Sequence, residues 1–298
     1  MTRIDPSMLL SVNHRALEYT VRNVFETIAV LDGFKPVMRL VLSDEYIPLV
    51  AHELRAFGLA VSASTWGLRP AYTTSLGDVY TDIDRTGTRR CQRVVAVARS
   101  ASSADAFLQA ETDGDHEAMG YMLGYPRCCM RAYQDLSEER DWLTELLEHT
   151  SPHARYPHQT NRVAYLFDEH WLGFDYFPCS LLCADTKNIF ETVARLARES
   201  GMHALVDQIT TDLRAPILLK SGVVVQLRGA SCADGMAKYD LSRSRLYGWR
   251  VEEGADEDPI WTSDQVERIN GELRFYRERR LLASSLEDVS STRLLVFE

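Results

Sequence analysis

The chain has 298 residues, 45% hydrophobic and 26% charged, with a formal charge of −10, a balance typical of globular proteins with ample core. The negative charge argues against a nucleic-acid binder that works by neutralising phosphates, which needs clustered Lys and Arg; lysine here is confined to Lys35, Lys187, Lys220 and Lys238. No apolar run is long enough to cross a bilayer and Met1-Thr2-Arg3-Ile4-Asp5-Pro6 lacks the blocks of a signal peptide, so a cytoplasmic protein with no membrane and no nucleic-acid partner is expected.

Taken in order, residues 7–31 place Leu9, Leu10, Val12, Leu17, Val21, Val24, Phe25 and Ile28 at helical spacing, with Gly33 and Pro36 as a stop. Val37 to Leu42 reads as a strand. Ser43-Asp44-Glu45 then caps a helix that runs to about Phe57 and closes at Gly58. Leu59 to Ser62 and Arg93 to Ala98 are further strands, so residues 1–100 suggest a small α/β module. His14 and His52 lie on helical stretches without metal-ligand spacing.

Ser102-Ser103-Ala104-Asp105 begins the next helix. Thr112-Asp113-Gly114-Asp115 ends it and opens another, with Asp115 as the cap. Two passages then dominate: Gly120-Tyr121-Met122-Leu123-Gly124-Tyr125-Pro126-Arg127-Cys128-Cys129, and Phe174-Asp175-Tyr176-Phe177-Pro178-Cys179-Ser180-Leu181-Leu182-Cys183. Proline is favoured at the first position of a helix, so Pro126 and Pro178 mark two helix starts and all four thiols fall in or beside a first turn. Unpaired N–H groups and partial positive charge there favour thiolate, the form that binds metal. On this reading Cys179 and Cys183 stack on one helix face, while Cys128 and Cys129 diverge as a fork. Brought together, the four make a site suited to an iron–sulfur cluster, with zinc or a single iron as alternatives. Gly120 and Gly124 share a helical face on which a backbone can approach closely.

Between the passages, 137–149 reads as an amphipathic helix with an acidic outer face. Thr150 to Asn161 is the richest polar loop, and functional residues concentrate on such loops. His153 and His158 are candidates for proton transfer or substrate contact, as is His116 ahead of the first passage, and Arg155 is a candidate carboxylate clamp. Polar side chains facing water are the competing reading for each. Asn161 to His170 reads as helix and leads to the aromatic patch Trp171-Leu172-Gly173-Phe174, read as core. Cys91 and Cys232 stand apart and read as small buried hydrophobes.

The run G-x-x-L-G-Y-P-x-C-C, a His/Asn-containing segment and then P-C-S-x-x-C resembles a protein family that shares the L-G-Y-P-x-C-C and P-C-S-x-x-C signatures. The resemblance covers roughly residues 111–200, about a third of the chain. It implies that these residues belong together; no reaction is established for that family, so the chemistry rests on the side chains themselves.

Beyond Cys183 a helix continues through Ile189, Val193, Leu196 and Ala197 to Gly201, and Met202 to Leu213 makes another. Pro216–Leu219, Val223–Leu227, Glu272–Tyr276 and Arg293–Phe297 are strand candidates, with Lys220-Ser221-Gly222 as a tight turn; Glu252 to Pro259 is an acidic surface loop. The fold class expected is α/β (α+β). It has an α/β module over 1–100, a helical cysteine-bearing segment over 101–213 and a strand-rich part over 214–298, either separate or forming one compact unit. The functional expectation is a metalloenzyme with a cysteine-ligated iron–sulfur cluster or iron, acting on a small polar molecule. The alternatives are a zinc-stapled binding protein without catalysis, a thiol-redox protein, and four interior thiols with no ligand.

Overall fold

The computed structural model describes residues 21–74, 77–84, 92–135, 150–151, 154–161, 172, 174, 176–220, 223–227, 230–233, 236–238, 245–248, 265–269, 272–277, 280–286 and 292–297. Helices and three sheets give mixed α+β content. The chain divides into two compact units, one comprising 1–134, 169–176 and 188–206, the other 135–168, 177–187 and 207–298.

In the first unit, helix α1 (Val21–Asp32) precedes strand β1 (Val37–Ser43), helix α2 (Ile47–Ala56), strands β2 (Ala60–Thr74), β3 (Gly77–Asp84) and β4 (Gln92–Ala98), and helix α3 (Ala101–Asp113). The strands form one antiparallel sheet in the order β1-β4-β2-β3. Alternation along β1 sorts its side chains between the two faces. Val37 joins Val94, Ala96, Ala98, Trp66 and Leu68 against Ala104 and Phe107 of α3, and Arg39 on the same face pairs with Glu111 of α3 at 2.8 Å. Met38 faces the other way and receives the Thr27 hydroxyl of α1 at 3.6 Å. Because helices cover both faces, β4 is a continuous buried run, Val94 to Ala98.

These elements fall where their sequence pattern puts them except at two helix starts and at one additional strand. Ser43 does not cap α2: it ends β1, its carbonyl takes the Tyr46 N–H, and Pro48 sits in the first helical turn without any side-chain cap. The cap of α3 is Ser100, two residues before the expected start, accepting from the Ser103 N–H at 3.2 Å. Strand β2 runs to Thr74 and folds back into β3; Gly67 and Pro70 break its alternation, and the pairing shifts register at both places.

In the second unit, strands β5 (Arg155–Tyr156), β6 (Ile217–Lys220), β7 (Val223–Gln226), β10 (Arg245–Gly248) and β14 (Thr292–Phe297) form a sheet ordered β10-β7-β6-β14-β5. A second sheet is ordered β13-β12-β11-β9-β8, from β8 (Ser231–Ala233), β9 (Met236–Lys238), β11 (Gln265–Ile269), β12 (Glu272–Arg277) and β13 (Arg280–Leu286). The expected β6–β7 hairpin is present, with Lys220 opposite Val223. The helix read over 137–149, residues 162–170 of the helix read over 161–170, the stretch 7–20, the acidic loop 252–259, His14, Cys91 and Trp171 lie outside the described residues, while Asn161 itself closes a 3-10 turn. Leu172 and Phe174 are buried, as a core patch requires.

Candidate metal centre

The first cysteine passage is a helix stop followed directly by a helix start. Helix α4 (His116–Met122) opens on Asp115, whose carboxylate accepts from the Ala118 N–H at 2.9 Å. It closes at Leu123-Gly124-Tyr125, where the Tyr125 N–H reaches back to Gly120 O at 3.0 Å and the Gly124 N–H to Tyr121 O at 3.1 Å. This is the Schellman arrangement, which places a left-handed residue just past the helix, and Gly124 supplies it at φ +75°. Gly124 therefore lies beyond α4 instead of sharing a helical face with Gly120. Gly120 does meet a neighbour closely, since a Cβ there would run into Met130 Sδ.

Proline cannot continue α4, and the next helix begins one residue after the expected start, at Arg127, with Pro126 just ahead of it. The Pro126 carbonyl accepts from the Met130 N–H at 3.0 Å, so Pro126 caps helix α5 (Arg127–Gln134). Cys128 and Cys129 are then the second and third helical residues, within the turn whose N–H groups lack intrahelical partners. Their sulfurs are 3.8 Å apart.

The second passage corrects the reading. Pro178 does not start a helix, and Cys179 and Cys183 do not stack on a helical face. Helix α6 (Ala184–Glu199) begins only after Cys183, whose carbonyl takes the Lys187 N–H at 3.1 Å. The cause is local competition for backbone groups. The Ser180 hydroxyl accepts from the Leu182 N–H at 3.3 Å and the Ser180 carbonyl from the Cys183 N–H at 3.2 Å. The Leu181 carbonyl is taken by the hydroxyl of Thr160 at 2.6 Å. A turn results, with Cys179 at its entry and Cys183 as the cap of α6.

All four sulfurs, of Cys128, Cys129, Cys179 and Cys183, lie within 4.8 Å of one another and could hold a metal ion. They carry thiols and no disulfide, with Cys129 and Cys183 buried and Cys128 and Cys179 more open. Among the described residues the group contains cysteines only, with no histidine or carboxylate. His116 is exposed at the start of α4 and Arg155 is exposed in β5. His158 is buried in a single 3-10 turn, His158–Thr160, and His153 lies outside the described residues.

The polar loop contributes differently from what its histidines suggest. Thr160 and Asn161 are fully buried. Thr160 fixes the cysteine turn through Leu181. Asn161 donates to the Leu213 carbonyl at 2.6 Å at the end of helix α7 (His203–Leu213), and Gln226 donates at 3.0 Å to the Asp212 carbonyl, which also accepts the Ala215 N–H at 3.2 Å. These uncharged donors lack the charge that marks histidine and arginine in a sequence, and only their burial gives them weight. The flanks of the two passages also meet: the rings of Tyr125 and Tyr176 are tilted at 41° with centroids 5.2 Å apart. The repeated tyrosine before each proline is the sequence trace of that contact. Comparison with protein-family models, curated proteins and solved structures finds no significant match.

Proposed function

We propose that Cys128, Cys129, Cys179 and Cys183 bind a single tetrahedral metal ion, zinc, and that the ion has a structural role. The observation that carries this is the spread of the sulfurs, all within 4.8 Å of one another. With Zn–S bonds of about 2.3 Å, tetrahedral sulfurs stand about 3.8 Å apart, so closing on the ion asks for a contraction of about 1 Å at most. An iron–sulfur cluster spreads its thiolates over two or four irons instead of one ion and so calls for a wider set. The spacing thus favours a single ion over the cluster expected from cysteine content. A mononuclear iron fits the same sulfurs and is the second reading.

Four thiolates close the coordination shell and leave no position for substrate, which is the pattern of structural zinc and not of catalytic zinc. Bound there, the ion ties the first turn of α5 to the Cys179–Cys183 turn and neutralises part of their charge. On this account the metal holds a binding surface in shape. A role for His116, His153, His158 or Arg155 toward a small polar molecule is a separate question that the ion does not require. Metal analysis of native protein and of Cys129→Ala and Cys183→Ala tests it: one zinc per chain is expected in the native protein and none in either variant. Unchanged metal stoichiometry in both variants removes the assignment.

A further inference from the structure

Lysine is rare in this chain, and one of its four is almost fully buried. Lys35 is 1% exposed and its ammonium is paired at 2.8 Å with Glu26 of α1, itself 4% exposed. Its backbone N–H bonds to Ala29 O at 3.1 Å, which anchors the residue to the end of that helix. The ammonium lies 4.0 Å from the centre of the Phe174 ring and 5.7 Å from that of Tyr125. A desolvated cation over an aromatic face is attracted by the ring quadrupole, and the attraction strengthens as water is excluded. Phe34 adds a tilted ring contact to Phe174 at 5.8 Å. On the other side, Phe174 and Pro36 fill the space in front of Gly124, where a Cβ would come within 3.0 Å of the Phe174 ring.

These contacts converge on two places in the sequence. Tyr125 stands three residues before Cys128, and Phe174 five residues before Cys179. Exchanging a buried ion pair for apolar side chains of like volume is often neutral for stability, so a fold-only account gives this pair little to do. We infer that Lys35 is a positioning residue for the thiolate centre: clasped by Glu26, its ammonium holds the rings of Phe174 and Tyr125, and through them the approach of both cysteine passages. This rests on the metal reading above.

The test is cobalt(II) and zinc titration of native protein and of Glu26→Leu/Lys35→Met, an apolar pair of similar bulk. The variant is expected to unfold cooperatively like the native protein, yet to bind both ions about tenfold more weakly, the lower end of what outer-shell changes cost. Its cobalt ligand-field spectrum should depart from the native one. A pair that serves the fold alone would leave that spectrum and the affinity unchanged, whatever happens to the melting temperature, and this result overturns the inference. If circular dichroism shows the double variant unfolded, Phe174→Leu decides in the same way, since it keeps an apolar group on Gly124 and removes the ring face. Native protein that takes up neither ion overturns the metal reading itself, which separates the two failures.

Discussion

Thr160→Val replaces one hydroxyl by a methyl at a fully buried site, and its effect can be worked from the structure. The hydroxyl donates to the Leu181 carbonyl at 2.6 Å, in the middle of the turn that presents Cys179 and Cys183. Valine has nearly the same shape, so no cavity opens, but the carbonyl loses this donor. A buried acceptor left without its partner costs about 1–3 kcal/mol, and about 2 kcal/mol corresponds to a melting temperature lower by roughly 4 °C in a chain this long. A turn less firmly held should also bind metal about tenfold more weakly, as other outer-shell losses do. That adds about 1.4 kcal/mol of destabilisation when zinc is present. Thermal unfolding with a chelator and with excess zinc, alongside a competitive chelator titration, measures both terms. Thr160→Ser keeps the hydroxyl and should retain zinc affinity close to the native value. If Thr160→Val melts and binds zinc like the native protein, the reasoning that places Thr160 beneath the cysteine turn is refuted.

Removing the metal should lower stability by mass action: free zinc at about 100 times its dissociation constant contributes about 2.7 kcal/mol, and a melting temperature indifferent to chelator speaks against a structural ion. Gly124→Ala should cost more than Gly58→Ala in urea unfolding. Both glycines have positive φ, +75° and +80°, but a Cβ meets the Phe174 ring at 3.0 Å only at Gly124, whereas Gly58 faces open space; the backbone term alone is about 1–2 kcal/mol. Equal costs would show that the Phe174 contact carries no weight. Asn161→Leu should destabilise by about 1–3 kcal/mol through the abandoned Leu213 carbonyl, and a neutral result would remove Asn161 from the account of the α7 terminus.

The helix start at Pro126 was legible because its signal is local, and so was the stop and cap at Gly114-Asp115 upstream, with Gly114 at φ +70°. The stop at Gly124 was not: the sequence reading puts this residue on a helical face shared with Gly120, although a glycine just ahead of Tyr125-Pro126 suits a left-handed helix end. The second passage carries the same proline and nearly the same spacing, yet it folds as a turn. What decides it is a competition for backbone groups: Ser180 takes the N–H of Leu182 and of Cys183, and a hydroxyl 21 residues earlier takes the Leu181 carbonyl. The local half of that competition was present in the Ser180 side chain; the Thr160 half belongs to tertiary structure and has no sequence period. The four cysteines stood out by residue type and motif, but their convergence was a supposition that spacing along the chain does not decide, because it depends on how two distant turns pack. The ion that suits them did not, since zinc and iron–sulfur sites use the same residues and differ in the distances between them.

The first unit was similarly readable wherever a helix backs a strand. Strand β4 announces itself by an apolar run covered on both faces, and α3 by its spacing of Ala104, Phe107 and Ala110. The short strands β8, β9 and β11 were missed: they have only three to five residues each, and Gln265-Val266-Glu267-Arg268-Ile269 is mostly polar. Too few periods are present in such segments to separate a strand from a loop.

The most direct test of the central claim is the metal content of protein purified without oxygen, read together with X-ray absorption at the metal edge. The account predicts one zinc per chain in a colourless protein, surrounded by four sulfurs at about 2.3 Å. A metal-free protein, or a brown one holding several irons with inorganic sulfide, would contradict it.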